Sequence, residues 1–178
     1  MAGVMRILLI LVFGCLITHS SALYAEDAEQ ARLHKIKAGF LFNFAKFASW
    51  PSETTPTDSL VMCMWGQSEF KKYFQAFSNR SIKKWKVEVR YVNSSDEANG
   101  CHVLYIEKEL GESDIHAIYE RLRDNSILVV TDLPSGGIIN IVPGGKLLRF
   151  EIYPTRAAQA GIKLSSQLLK LAQIVDGE

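Results

Sequence analysis

The final thirty residues, KLLRFEIYPTRAAQAGIKLSSQLLKLAQIV (146–175), have the clearest structural pattern in the chain. Leu148, Phe150 and Ile152 alternate with polar neighbours, which is the period-2 pattern of a strand with one buried face. Further on, apolar residues repeat at helical spacing with polar residues on the other side. We therefore predict a strand and a terminal helix packed on a sheet, with a helix stripe of Leu164, Leu168, Leu171, Ala172 and Val175.

A shorter helix is predicted between these two elements. Thr155 follows Pro154 and is placed to cap a helix that runs through Ala160. Gly161 then supplies the left-handed residue that commonly ends a helix.

Strands and helices alternate through the preceding part of the chain. Continuous apolar runs such as SLVMCMW (59–65) are typical of strands covered on both faces. Pro51 ends a long apolar helix, and Ser113 or Asp114 is placed to cap a later one. The expected elements are a helix at 26–50, strands at 59–65, 87–91, 101–106 and 127–131, helices at 69–77 and 113–122, and a hairpin of 138–142 and 146–153.

This alternation predicts an α/β fold with a mostly parallel sheet and right-handed crossovers. Helices should flank the sheet in flavodoxin- or Rossmann-like layers, and the C-terminal hairpin should add an antiparallel pair. A strand order of 2-1-3-4 would place the first and third strands next to each other.

The N-terminus has the pattern of a signal peptide. Arg6 is the only charge in the first 25 residues, and the eleven apolar residues Ile7–Ile17 are too few to span a bilayer. Cleavage after Ala22 or after Ala25 fits the small residues that follow, and the residues around Cys15 loosely resemble a lipid-attachment site. We predict a signal peptide at 1–25, a single domain at 26–178, and no transmembrane segment after cleavage.

The charge balance argues against nucleic-acid binding. The chain has 20 basic and 19 acidic residues, and removal of Arg6 makes them equal. Binding to a phosphate backbone depends on counterion release by an excess of basic residues, so we expect no nucleic-acid partner.

Two cysteines, Cys63 and Cys101, remain after signal cleavage. In an exported protein an even pair favours a disulfide, while two buried thiols are the alternative. A metal site is less favoured because only His102 adjoins either cysteine.

The search for catalytic motifs finds no G-x-S-x-G elbow, Walker loop, G-x-G-x-x-G or H-E-x-x-H, so we expect no enzyme, no cofactor and no metal. His34, His102 and His116 are scattered and fit structural or surface roles. Asp132 follows a strand, where α/β enzymes often place an acid, but it equally fits a turn.

Two features could serve binding. An aromatic helix carries Phe40, Phe44, Phe47 and Trp50, which suit either the core or a partner or dimer surface. A basic cluster around residues 71–90 suits either a solvated face or attraction to an anion or acidic partner. Its candidate binding residues are Arg80, Lys83, Lys84 and Lys86.

Three blocks resemble the YfiR family of bacterial periplasmic proteins. They are KAGFLFNFAKFASWP (37–51), CHVLYI (101–106) and LLRFEIYPTRAAQAGIKLSSQLLKLAQIV (147–175). The resemblance covers essentially the whole chain after the signal peptide, and its end blocks are the most specific. It places Cys63 and Cys101 at one family disulfide, whereas a second family pair near Ile138–Lys146 has no cysteine here.

The resemblance implies a non-enzymatic periplasmic protein of a Gram-negative bacterium that forms a homodimer. It implies binding to the periplasmic sensor region of an inner-membrane diguanylate cyclase, whose inhibition lowers cyclic di-GMP and biofilm formation. The alternative is a periplasmic small-ligand sensor or solute-binding module acting on another envelope signalling protein, which a cleft at the carboxyl ends of the strands would favour. An enzyme would need a polar constellation that the linear sequence hides.

Overall fold

A computed structural model describes residues 27–78, 80–134, 136–145 and 147–175. The chain divides after Lys35 into two compact units. The predicted signal peptide at 1–25 lies outside the described residues. In the first unit residues 27–35 are helical, and Arg32 and Glu29 form an exposed ion pair at 2.8 Å.

The second unit is built from an eight-stranded sheet, a two-stranded sheet and helices. Its helix α1 comprises residues 36–47. The strands are β1 Ala48–Ser49, β2 Ser59–Trp65, β3 Ser81–Ile82, β4 Trp85–Tyr91, β5 Val103–Ile106, β6 Leu128–Thr131, β7 Ile139–Gly144, β8 Leu147–Ile152, β9 Lys163–Leu164 and β10 Gln173–Ile174. The remaining helices are α2 Lys71–Gln75, α3 Glu112–Leu122, α4 Pro154–Gln159 and α5 Ser166–Leu169, with short 3-10 turns at Ser52–Thr54 and Lys108–Leu110.

The large sheet has the order β10-β8-β7-β6-β5-β2-β4-β3. Pairing is parallel from β4 through β2, β5 and β6 to β7, whereas β3–β4 and β7–β8 are antiparallel. The expected α/β fold, the 2-1-3-4 order of the first four predicted strands and the C-terminal hairpin are therefore confirmed.

The central strands are covered on both faces. Every residue of β5 and β6 is buried, whereas β4 begins with buried and exposed residues in alternation. Phe44 of α1 packs against Phe150 with ring centroids 5.0 Å apart, and Phe70, directly before α2, packs against Tyr105 with ring centroids 5.2 Å apart. The helix α3 buries the side of its surface formed by Ile115, Ile118, Tyr119 and Leu122.

The predicted terminal helix over Leu164–Val175 is wrong. That segment forms β9, which pairs with β1, then the single turn α5, and then β10, which pairs in parallel with β8. Ser165 caps α5 by accepting a hydrogen bond from the Leu168 amide at 3.3 Å. Two strand edges offer backbone partners to this segment, so tertiary pairing overrides the leucine periodicity, and Leu171 is 75% exposed.

Other boundaries differ by a few residues. The long helix ends at residue 47 because β1 follows it. The helix α3 begins at Glu112 after Gly111, so neither Ser113 nor Asp114 is its cap. Gly161 has a φ of +69°, which confirms the left-handed position predicted after α4. No helix among the described residues is long and apolar enough to cross a bilayer.

Cys63 and Cys101 form the predicted disulfide, with their Cα atoms 5.9 Å apart. Cys63 lies within β2, and Cys101 lies just before β5, its parallel neighbour. Both cysteines are buried, so the bond is part of the core.

Protein purified without residues 1–25, and therefore without Cys15, should contain no titratable thiol after denaturation. A Cys63→Ala/Cys101→Ala variant should lose up to about 4 kcal/mol in free energy of unfolding, because the bond closes a long loop in the unfolded chain. Thiol titration and urea denaturation measure the two effects, and two reactive thiols in the wild type would contradict the pairing.

Candidate functional site

The carboxyl ends of β2, β5 and β6 meet at one edge of the sheet. The strand order reverses between β2 and β5, and open α/β sheets commonly bind ligands in the crevice at such a point. In this protein the edge holds a compact set of polar side chains contributed by α1 and by the loops that follow these three strands.

Lys37 of α1 joins two of these groups. Its Nζ donates to Asp132 Oδ2 at 2.7 Å and to Tyr105 Oη at 3.0 Å. The ammonium also lies 5.2 Å from the ring centre of Phe70 and 5.6 Å from that of Tyr105. The side chains of Lys37 and Asp132 are only 14% and 10% exposed, so the pair is largely shielded from solvent.

Asp132 also organises the loop after β5, because its Oδ1 accepts a hydrogen bond from the Lys108 amide at 2.8 Å. Burial, followed by the negative charges of Asp132 and Glu107, raises the pKa of Tyr105 well above its ordinary value. Tyr105 is therefore a neutral phenol, and the charges at this position belong to Lys37 and Asp132.

A second polar contact fills the gap between β2 and β5. Glu107 is buried and accepts hydrogen bonds from the Ser68 amide at 3.0 Å and from the Ser68 hydroxyl. The carboxylate lies where a Cβ on Gly66 would be, and Gly66 has a φ of +154°. Only glycine therefore allows the chain to leave β2 beside Glu107.

These contacts fasten α1 and the strand-end loops to one another. The described residues contain no group of three or more histidines, cysteines or acids suited to a metal ion. The role of these contacts is to hold α1 in place. The helix lies against the edge of the sheet at which a ligand would otherwise enter.

The aromatic residues predicted as a candidate partner or dimer surface divide into two groups. Phe44 and Trp50 are 1% and 7% exposed and belong to the core. Phe40 and Phe47 are partly buried and pack against that core. Phe44 and Trp50 therefore cannot face a partner in this structure, whereas Phe40 and Phe47 retain some accessible surface.

The predicted basic residues lie on the β3–β4 hairpin, and all four are exposed. Lys83 Nζ donates to the Ala48 carbonyl at 2.8 Å, and the Arg80 guanidinium lies 4.8 Å from the ring centre of Phe42. These two residues thus also hold the hairpin against the end of α1, while Lys84 and Lys86 extend from the turn and β4.

His102 lies at the opposite, amino-terminal end of the sheet. Its Nδ1 accepts a hydrogen bond from the Val61 amide at 3.0 Å, and its carbonyl accepts one from Trp50 Nε1 at 3.1 Å. Burial, together with the positive charge of Arg90, lowers the pKa of His102, although Glu88 acts in the opposite direction. This histidine is therefore a neutral, structural acceptor.

Open grooves formed by the described residues border the sheet at both ends of its strands. One of about 710 Å³ lies at the amino end and is lined by His102 and by polar residues of the neighbouring loops. The other, of about 570 Å³, lies beside the carboxyl end of β6 and the start of α3. Its lining consists of Glu112, Ser113, His116, Leu133, Pro134 and Gly136.

Sequence reasoning missed Lys37, Tyr105 and Glu107 at the carboxyl edge. Lys37 lies in a predicted helix and Tyr105 in a predicted strand, so local sequence alone does not identify either as a partner for Asp132. The sequence feature that could have revealed this site is the position of Asp132 directly after a strand, because an acid there lies at the carboxyl edge of the sheet.

The fold is that of an α/β protein whose polar side chains at the carboxyl edge of the sheet pair with one another. Residues 34–173 match the family model described as YfiR/HmsC-like. The chain therefore belongs to the YfiR/HmsC-like family. Members of this family are periplasmic regulators rather than enzymes, and membership suggests a regulator of a diguanylate cyclase.

One similar solved structure is an ABC domain in complex with L-Trp from Streptococcus pneumoniae. The TM-score is 0.50 at 14% identity, and the match covers 78% of this chain and 62% of that one. This likeness concerns the fold alone, and the chain spans less than two thirds of that structure. No curated protein matches the chain in sequence.

Lys37→Met should lower the free energy of unfolding by about 3 kcal/mol, because it leaves the shielded Asp132 carboxylate without its ammonium. Adding Asp132→Asn should cost less than the sum of the single changes, with a coupling of about 1–3 kcal/mol in urea denaturation. The exposed Arg32–Glu29 pair is the matched control, and Arg32→Met should cost at most about 1 kcal/mol. Additive effects at Lys37 and Asp132 would contradict the pairing.

Stability should also fall on acidification, because the unfolded His102 takes up a proton near its ordinary pKa of about 6.5 while the folded residue resists it. The contribution is fully present above that pH and is lost progressively below it, down to the lowered pKa. His102→Asn retains an acceptor for the Val61 amide and should flatten the pH dependence in urea denaturation. Thr57→Ala, in the same groove, should keep the wild-type slope, and an unchanged slope in His102→Asn would refute the assignment.

Proposed function

We propose that this protein is a non-enzymatic periplasmic regulator that binds the periplasmic sensor region of an inner-membrane diguanylate cyclase and inhibits it. The observation that carries the proposal is the family match over residues 34–173. Inhibition would lower cyclic di-GMP and biofilm formation. A signal peptide at 1–25, a single domain at 26–178 and a homodimer are part of the same proposal.

The packing of the carboxyl edge is consistent with a binding role. Lys37, Asp132 and Glu107 are engaged in contacts that hold α1 and the strand-end loops together. Because these three charged side chains already have partners within the fold, the edge favours a protein that acts through its surface.

The outer edge of the sheet offers a surface for the cyclase. The exposed large hydrophobic residues of the described chain lie on this side: Leu147 is 54% exposed, Leu171 75% and Ile174 44%. Because β10 pairs only with Glu151 and Ile152 of β8, residues 147–149 have no outer strand partner within the described ranges. An exposed strand edge beside apolar side chains fits an extended segment of a partner protein.

A specific observation also supports the alternative, a small-ligand sensor acting on another envelope signalling protein. The groove beside β6 lies at a carboxyl strand end and combines His116 and Ser113 with the apolar Leu133. Ligand binding there would raise the melting temperature of the wild type in a metabolite screen and would leave a His116→Ala variant unshifted.

Deletion of the gene should raise intracellular cyclic di-GMP relative to the parent strain, and additional deletion of one membrane cyclase should remove the rise. Mass-spectrometric quantification of cyclic di-GMP in the three strains is the measurement. An unchanged level under several growth conditions would contradict the inhibitor role.

A Leu147→Ser/Leu171→Ser variant should bind the cyclase sensor region at least about tenfold more weakly, because it removes exposed apolar contacts at the sheet edge. Its free energy of unfolding should stay within about 1 kcal/mol of the wild type, as expected for surface changes. The exposed Gln75→Ser/Gln159→Ser variant is the control and should bind normally. Unimpaired binding by the leucine variant would locate the interface elsewhere.

A further inference from the structure

Exposed cations from three parts of the fold surround the C-terminal end of α1. Lys83 Nζ bonds to the Ala48 carbonyl at 2.8 Å, which places the β3–β4 turn beside the helix end. In the small sheet Ser49 of β1 is paired with Lys163 of β9, so a third segment joins them. We call this surface the basic face, and it consists of the exposed residues Lys46, Arg80, Lys83, Lys84, Lys86 and Lys163.

The charges around the β3–β4 hairpin are mostly positive. Residues 80–90, which include the β3–β4 hairpin, contain five lysines and arginines and one acid, Glu88, although the whole chain has 20 basic and 19 acidic residues. Glu88 is paired with Arg90 at 3.0 Å. The hairpin therefore carries a net positive charge within a chain whose overall charge is close to zero.

The backbone conformation and the side-chain contact of Lys83 both concern how the β3–β4 turn is held in place. Lys83 has a φ of +54°, a left-handed conformation that is unfavourable for residues other than glycine. Its ammonium compensates by bonding to Ala48, which fixes the turn against α1. Lys84 therefore projects from an anchored turn, and Lys86 from the adjoining strand.

The basic face lacks the apolar centre of a protein interface. Trp85 is 8% exposed and lies beneath Lys83 and Lys84, at 5.8 and 5.6 Å from its ring centre. The exposed large hydrophobic residues of the described chain are on the outer sheet edge instead. Protein interfaces are depleted in lysine at their centres, whereas hydrated lysines are attracted to anionic lipid head groups without being buried.

We propose that the basic face docks on the anionic phospholipid head groups of the membrane that contains the protein's partner. The inference rests on the proposed function only in its choice of membrane, namely the one that contains the cyclase. Docking concentrates the protein at the membrane and turns one side of the fold toward it, which leaves the outer sheet edge available to the cyclase sensor region.

Sedimentation with vesicles tests the proposal without the cyclase. The purified wild-type protein should sediment with mixed phosphatidylglycerol–phosphatidylcholine vesicles at about 0.05 M salt and be released at about 0.5 M, where charges are screened over a few ångströms. It should not sediment with pure phosphatidylcholine vesicles. Absence of binding to the anionic vesicles at low salt would overturn the proposal, as would equal binding to both vesicle types.

Charge-neutralising variants locate the surface. Lys84→Gln/Lys86→Gln should lower the vesicle partition coefficient by roughly 30-fold, as expected for the loss of two lysines near an anionic surface. Lys108→Gln/Arg121→Gln removes the same net charge from exposed positions elsewhere and should reduce binding much less. Equal losses in the two variants would show attraction by net charge alone and refute the assignment to the basic face.

Binding of the cyclase sensor region in neutral detergent separates this inference from the proposed function. The Lys84→Gln/Lys86→Gln variant should bind the sensor region normally there, because no anionic lipid is present. Loss of that binding with undiminished vesicle binding would identify an acidic protein partner and overturn the lipid proposal. Failure of vesicle binding with normal cyclase inhibition would leave the proposed function intact.

Discussion

Two-sided burial of β2, β5 and β6 is the constraint on which the rest of the structure depends. Strands this apolar are stable only when helices cover both faces, so α1, α2 and α3 must pack against the sheet. Parallel neighbours in turn require crossover connections, which bring all their carboxyl ends to one edge. The side chains of Lys37, Asp132 and Glu107 collect at that edge.

The carboxyl edge illustrates how this constraint limits function. In many α/β proteins the crevice there receives a ligand, but here Lys37 lies across it and pairs with Asp132. The disulfide between Cys63 and Cys101 ties β2 to β5 within the same core. A fold fastened at these places is suited to presenting surfaces, which agrees with the regulatory character of the YfiR/HmsC-like family.

Two surfaces of contrasting chemistry border the molecule. The basic face is rich in lysine and has its aromatic side chains underneath, whereas the outer sheet edge exposes Leu147, Leu171 and Ile174. The basic face suits long-range electrostatic attraction to an anionic surface. The outer sheet edge suits direct apolar contact with a protein. Their separation allows one molecule to meet a membrane and a partner at once.

The sequence by itself determined the α/β class, because local periodicity reveals alternating strands and helices, and it favoured the pairing of Cys63 with Cys101, because two cysteines follow the signal peptide. The 2-1-3-4 order was expected for the first four predicted strands only. Only the tertiary structure decided that Leu171 is exposed and does not belong to a terminal helix. The residues on either side of it form β9 and β10, which pair with β1 and β8. The tertiary structure also decided that Lys37 pairs with Asp132, and that Lys163 of β9 lies beside Ser49 of β1. These residues are far apart in the chain, and only packing of the helices and strands on a common core brings them together.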